Sequence, residues 1–110
     1  MILNTEGNLT IVTQENATPA QLVKKMEDSY SKFKNDNVIV NLSSLEQLTL
    51  EQILVFLQLS NIHRKAKHSF VLVSDSVTID QSIEEIVIVP TLQEAYDIIE
   101  MEDMERDLGF

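Results

Sequence analysis

The residues with chemistry to offer in this chain are two histidines, a set of hydroxyls ahead of a helix, and many carboxylates. His63 and His68 bracket the run Arg64-Lys65-Ala66-Lys67. A nucleophilic triad needs a histidine base, a Ser or Cys nucleophile and an orienting acid. A base among Arg64, Lys65 and Lys67 tends to lose its proton, which supplies neither a nucleophile elbow nor an oxyanion loop. The expected role of both histidines is that of solvated helix-end residues. A catalytic zinc needs about three protein ligands at an open site, and neither His-x-His-x-Asp-His nor His-Glu-x-x-His occurs. With no cysteine and only Gly7 and Gly109 as glycines, thiolate chemistry and a glycine-rich phosphate loop are excluded as well. The chain is expected to be no enzyme and to need no metal or cofactor.

A second grouping is Ser43, Ser44 and Thr49, followed by Leu50 and Glu51. Thr49-x-x-Gln52 is a capping box, in which the threonine hydroxyl and the glutamine side chain satisfy the first N–H groups of a helix. Glu51 in that first turn is stabilised by about 0.3–1 kcal/mol through the helix dipole. Thr49 is a candidate phosphosite, able to exchange its capping role for a phosphate. Hydroxyls at a helix start also permit a small-ligand or anion sensor, although no lysine or arginine occurs within residues 35–63. Half of the acidic residues lie from Glu84 onward, and a solvated helix face is the expected reading. Met101, Met104, Leu108 and Phe110 interleave with those acids and give an amphipathic extension, residues 101–110, able to dock on a partner.

The elements that must position these groups follow from period and caps. Ile2–Thr5 and Leu9–Thr13 alternate around Gly7 as a hairpin. Thr18-Pro19-Ala20-Gln21 starts a helix, with Leu22, Met26, Tyr30 and Phe33 as its apolar stripe and Asn35-Asp36-Asn37 as its end. Val38–Leu42 is near-continuously apolar, as suits a central strand covered on both faces. A second helix runs from Thr49 through Ile62 with a wide, mostly buried apolar surface. Phe70–Val73 and Ile86–Val89 are further strands, with a short helical turn in Val77–Ile83 between them. Thr91-Leu92-Gln93-Glu94 caps a terminal helix buried through Leu92, Ala95, Tyr96 and Ile99. This order implies an α/β fold: a mixed four- to five-stranded sheet with a parallel core and about three main helices.

The 110 residues, 44% hydrophobic, fit one domain, residues 1–100, plus the extension. A formal net charge of -10 repels phosphate backbones and anionic lipids, so neither nucleic acid nor membrane is an expected partner. A protein with a basic or hydrophobic surface is. The start MILNTEGNLTIV has no basic, apolar leader pattern, and a cytoplasmic location is expected.

VIVNLSSLEQLTLEQILVFLQLSNIHRKAKHSFVLV followed by IVIVPTLQEAYDII resembles the STAS domain of anti-sigma factor antagonists. The resemblance implies a regulatory protein–protein interaction module. Regulatory members carry an Asp-Ser-Ser-Gly turn whose second serine is phosphorylated by a partner kinase. Laid without gaps, that turn falls on Thr49-Leu50-Glu51-Gln52, so Leu50 and Glu51 replace the serines and the phosphoacceptor is absent. A carboxylate can imitate a phosphoserine in part, but good capping chemistry in the first turn is the expected role of Glu51. The segment between Val73 and Val87 is shorter than the helix the family places there, which implies an uncovered sheet face and a homodimer. Similar short bacterial proteins carry the label ribonuclease Z. This chain lacks that nuclease's metal-ligand motif, so the label implies at most an accessory role in tRNA processing.

Overall fold

The structure is a computed structural model that describes residues 1–14, 17–45, 48–75 and 85–109. The turn expected at Val77–Ile83 and the anchor Phe110 lie outside these residues. A five-stranded sheet has the order β1 (Ile2–Glu6), β2 (Leu9–Thr13), β3 (Asn37–Asn41), β4 (Phe70–Val73), β5 (Val87–Val89). β1 and β2 pair antiparallel around Gly7, whose φ of +57° is one that glycine adopts without steric cost. All later pairings are parallel, with Ile39 opposite Ile11 on one side and Val71 on the other.

β3 is the central strand, as its composition requires, and Val38, Ile39 and Val40 are fully buried. Strand alternation sends Val38 and Val40 to one face and Ile39 to the other. On the first face, α1 (Pro19–Asp28), α2 (Leu50–Leu54) and α3 (Leu57–Lys65) deliver Leu22, Met26, Ile53, Phe56 and Leu59 onto Phe70 and Leu72. On the second, α4 (Leu92–Asp107) places Ala95 and Ile99 on Ile39, Val71, Val73 and Val89.

Several helix expectations are corrected. The first helix ends at Asp28, and a single 3-10 turn, Tyr30–Lys32, comes after it and turns Phe33 into the core. The second helix is two, because the chain tightens at Val55–Phe56. The Phe56 N–H donates to the carbonyl of Ile53, a 3-10 type bond, and the turn drives the Phe56 ring to full burial. Its surface is also less buried than expected: Leu50, Leu54, Val55 and Ile62 remain exposed. Tyr96, expected in the buried stripe, is exposed too. The boundary expected at 100/101 falls inside α4, which runs on without a break to Asp107. Met101 and Met104 therefore sit on the last turns of that helix and Leu108 at its C-cap, not on a separate extension.

Phe56→Ala should cost about 3–5 kcal/mol in urea unfolding, as large-to-small changes at fully buried aromatic sites do. Leu54→Ala, at a nearby exposed site, should stay within about 0.5 kcal/mol.

Candidate functional site

Thr49 is built as the cap that its sequence context demands. Its hydroxyl accepts from the N–H of Gln52 at 3.2 Å and its N–H donates to Gln52 Oε1 at 2.9 Å. Thr18 and Gln21 repeat this geometry at the start of α1. The two corners flank one open depression of about 350 Å³, running from Thr18 and Ala20 to Thr49, Glu51 and Val55. A smaller cleft continues from Val55 along α1 and α3, lined by Val23, Glu27 and Ile62.

Of the exposed apolar side chains on these helices, Val55 at 36% and Ile62 at 49% line the depressions, and Leu50 at 43% and Leu54 at 44% are exposed on α2 beside them in sequence. Thr49 and Glu51 are exposed as well. Among the described residues, Glu27 and Glu51 are the charged ones lining the two depressions, and no lysine or arginine lines either. The structure thus brings Thr49, Leu50 and Glu51 together and adds Leu54, Val55 and Ile62. The signal for these three is a helix with more apolar residues than one face can bury.

Ser43 and Ser44 are exposed, but their hydroxyl protons are engaged within the chain. Ser43 Oγ donates to Asn41 Oδ1 at 2.6 Å, and Ser44 Oγ donates to Gln14 Oε1 at 2.7 Å. With Thr49 engaged in its cap, these hydroxyls hold the loop after β3 in place.

His63 is corrected from a solvated helix-end residue to a fully buried one. It continues the inward row of Phe56, Leu59 and Ser60, a spacing visible in the sequence. Its Nε2 lies 2.6 Å from the carbonyl oxygen of Asp36, which can only accept, so Nε2–H is the donor. Nδ1 therefore accepts from the Tyr30 hydroxyl at 2.7 Å. Burial pulls the imidazole below its ordinary pKa and outweighs the opposing pull of the Asp36 carbonyl, while nearby His68 adds to the lowering. Burial raises the Tyr30 hydroxyl in turn, which keeps it a donor. The neutral ring ties α3 to the turn after α1 through Tyr30 and to the Asp36 backbone.

The acidic end of α4 is likewise not a plain solvated face. Glu102 accepts from Arg64 at 2.7 Å and from Ser69 Oγ at 2.6 Å. Asp103 accepts from Asn37 Nδ2 at 3.2 Å and pairs with Arg106, which also donates to Ser69 Oγ. These bonds fasten the helix end to the start of β3 and β4. On the outward side of α4, opposite Ala95 and Ile99 by helical spacing, Met101, Met104 and Leu108 form an exposed stripe at 50%, 59% and 70%. Among the described residues no three His, Asp or Glu side chains cluster as a metal site, and no helix is long and apolar enough to cross a membrane.

No family model and no curated protein matches this sequence. Solved structures do. The serine-to-glutamate variant of RsbS from Moorella thermoacetica superposes with a TM-score of 0.61 at 13% identity, over 89% of this chain and 95% of that one. A chain of the stressosome, described as a signal integration and transduction hub, gives 0.62 at 12% identity over 90% and 96%. This chain has the STAS-like fold. The agreement spans nearly the whole of both partners. Neither similar structure is described as a nuclease, and the ribonuclease Z label has no support.

Because the folded-state pKa of His63 lies below the unfolded value of about 6.5, its contribution is complete above that pH and is lost as pH falls through the folded pKa. Unfolding free energy should therefore decline as pH drops from about 7 toward the lowered folded pKa. In His63→Gln that early decline should be missing from denaturation curves, whatever its stability at neutral pH. Glu102→Ala should cost about 1–3 kcal/mol by the same method, because it strips acceptors from Arg64 and Ser69.

Proposed function

We propose that this protein is a non-catalytic, regulatory interaction module that docks on another protein through the strip from Thr49 to Ile62. The observation that carries the reading is the exposure of Val55 and Ile62 along one cleft that continues from the Thr49–Glu51 corner, with Leu50 and Leu54 exposed on the short helix α2. Scattered exposed apolar residues need no explanation, but a contiguous group does. Apolar contact at its centre and the carboxylates Glu27 and Glu51 beside it fit a partner surface that is hydrophobic with basic neighbours.

One similar structure belongs to an assembly described as a signal integration and transduction hub, which supports a regulatory role for this chain. Glu51 occupies the position that the STAS resemblance gives to the phosphoacceptor serine. A fixed carboxylate there makes docking insensitive to a kinase at that position, with Thr49 the adjacent hydroxyl open to modification. Met101, Met104 and Leu108 offer a second apolar contact on the far side of the molecule. A small-ligand sensor is disfavoured because the hydroxyl protons of Ser43 and Ser44 are already engaged by Asn41 and Gln14.

The test is affinity recovery of partners from the source cells with the intact chain and with Leu50→Asp/Leu54→Asp. Both sites are exposed, so melting temperature should be nearly unchanged while a protein held by the intact chain is lost. An identical set of recovered proteins from both would remove the strip from the reading. Truncation of residues 101–110 is a poor substitute, since it also removes Glu102, Asp103 and Arg106 and should lower stability.

A further inference from the structure

One helix cannot roof five strands. α4 packs over β3, β4 and β5, and on that same face the β1–β2 hairpin is left partly open. The register places Leu3 opposite Val12, which faces the other core, so Ile2, Asn4 and Glu6 lie with Thr13, Ile11 and Leu9 on the open face. Between hairpin and helix lies a groove of about 300 Å³, lined by Asn4, Thr5, Glu6, Leu9, Ile11 and Tyr96. Leu9 and Ile11 are half-buried, and Tyr96 is 39% exposed.

Charge selects the occupant. Glu6 lines the groove from the hairpin side. On the helix, Glu100 stands one turn beyond Tyr96 on the same flank. Among the described residues no lysine or arginine lines the groove. We propose that it is a second docking site, for a cationic amphipathic segment of a partner protein. Apolar side chains of that segment rest on Leu9 and Ile11, its lysines or arginines meet Glu6 and Glu100, and the ring of Tyr96 takes a cation on its face. A second copy of this chain is a poorer occupant, because each carries a net charge of -10. The groove lies across the sheet from the Thr49–Ile62 strip, so the inference stands apart from that reading and allows both surfaces to be filled at once.

The experiment is an NMR titration of the isotope-labelled full chain, at physiological ionic strength, with a synthetic peptide of alternating lysine and leucine. A peptide of equal charge that alternates lysine and serine is run in parallel. Amides within 4–11 and 96–100 should shift and saturate with the lysine–leucine peptide, which should bind about tenfold more tightly than the polar one. Tyr96→Ala and Glu100→Lys should each weaken it about fivefold, and Leu54→Asp should leave it unchanged, each variant being confirmed as folded by its spectrum. Four results would overturn the proposal: no saturating shifts, equal binding of both peptides, shifts centred on the Thr49–Ile62 strip, or concentration-dependent shifts of the groove amides without peptide. The last would mean that a second copy covers this face.

Discussion

The structure depends on a strand that is apolar on both of its faces. Val38, Ile39 and Val40 leave β3 no side that water can occupy, so the sheet must be covered above and below. Each such side chain gains about 1.5–3 kcal/mol by full burial. α1, α2 and α3 supply the cover for Val38 and Val40, and α4 supplies it for Ile39. The parallel pairing to β2 and β4 is a consequence, because the connecting helices return the chain to the same end of the sheet.

The polar residues at the start of β3 then fix the helices in place. Asn37 is buried, and its side chain joins Asp103 and Arg106 of α4 to the backbone of Ser69. Asp36 accepts from His63 of α3 through its backbone carbonyl and from Thr10 of β2 through its carboxylate. Both covers are thereby tied to one end of one strand by groups that would be costly to leave unpaired. The surface these ties do not use includes, on α2 and α3, the exposed apolar Leu50, Leu54 and Ile62 among the polar Glu51, Gln58, Asn61 and Lys65.

Much of this is legible in the sequence. The threonine caps at Thr18, Thr49 and Thr91, the hairpin at Gly7 and the central place of β3 arise from local chemistry and hydrophobic period. The break at Val55–Phe56 is not legible, since both residues suit a helix and only the tertiary demand to bury Phe56 tightens the turn there. His63 reads as solvated because of its cationic neighbours in sequence, of which Arg64 pairs with Glu102 and Lys65 and Lys67 are exposed, while its apolar neighbours one and two turns back set its direction. Glu94, Asp97, Glu100, Glu105 and Asp107 of α4 are solvent-facing as their pattern indicates, whereas Glu102 and Asp103 are not legible as anchors because their partners, Asn37, Arg64 and Ser69, are distant in sequence. For the candidate site, Thr49, Leu50 and Glu51 are reachable from the cap, whereas Leu54, Val55 and Ile62 require knowing which side of the helix pair the core occupies.

The proposal on which the functional reading turns is that the Thr49–Ile62 strip is a surface for another protein. Amide hydrogen exchange of this chain, alone and mixed with a protein recovered from its source cells, tests it most directly. Protection concentrated in residues 49–62, with the β3 amides unchanged, is the predicted result. Protection confined to other elements, or none on saturation with that protein, would contradict it.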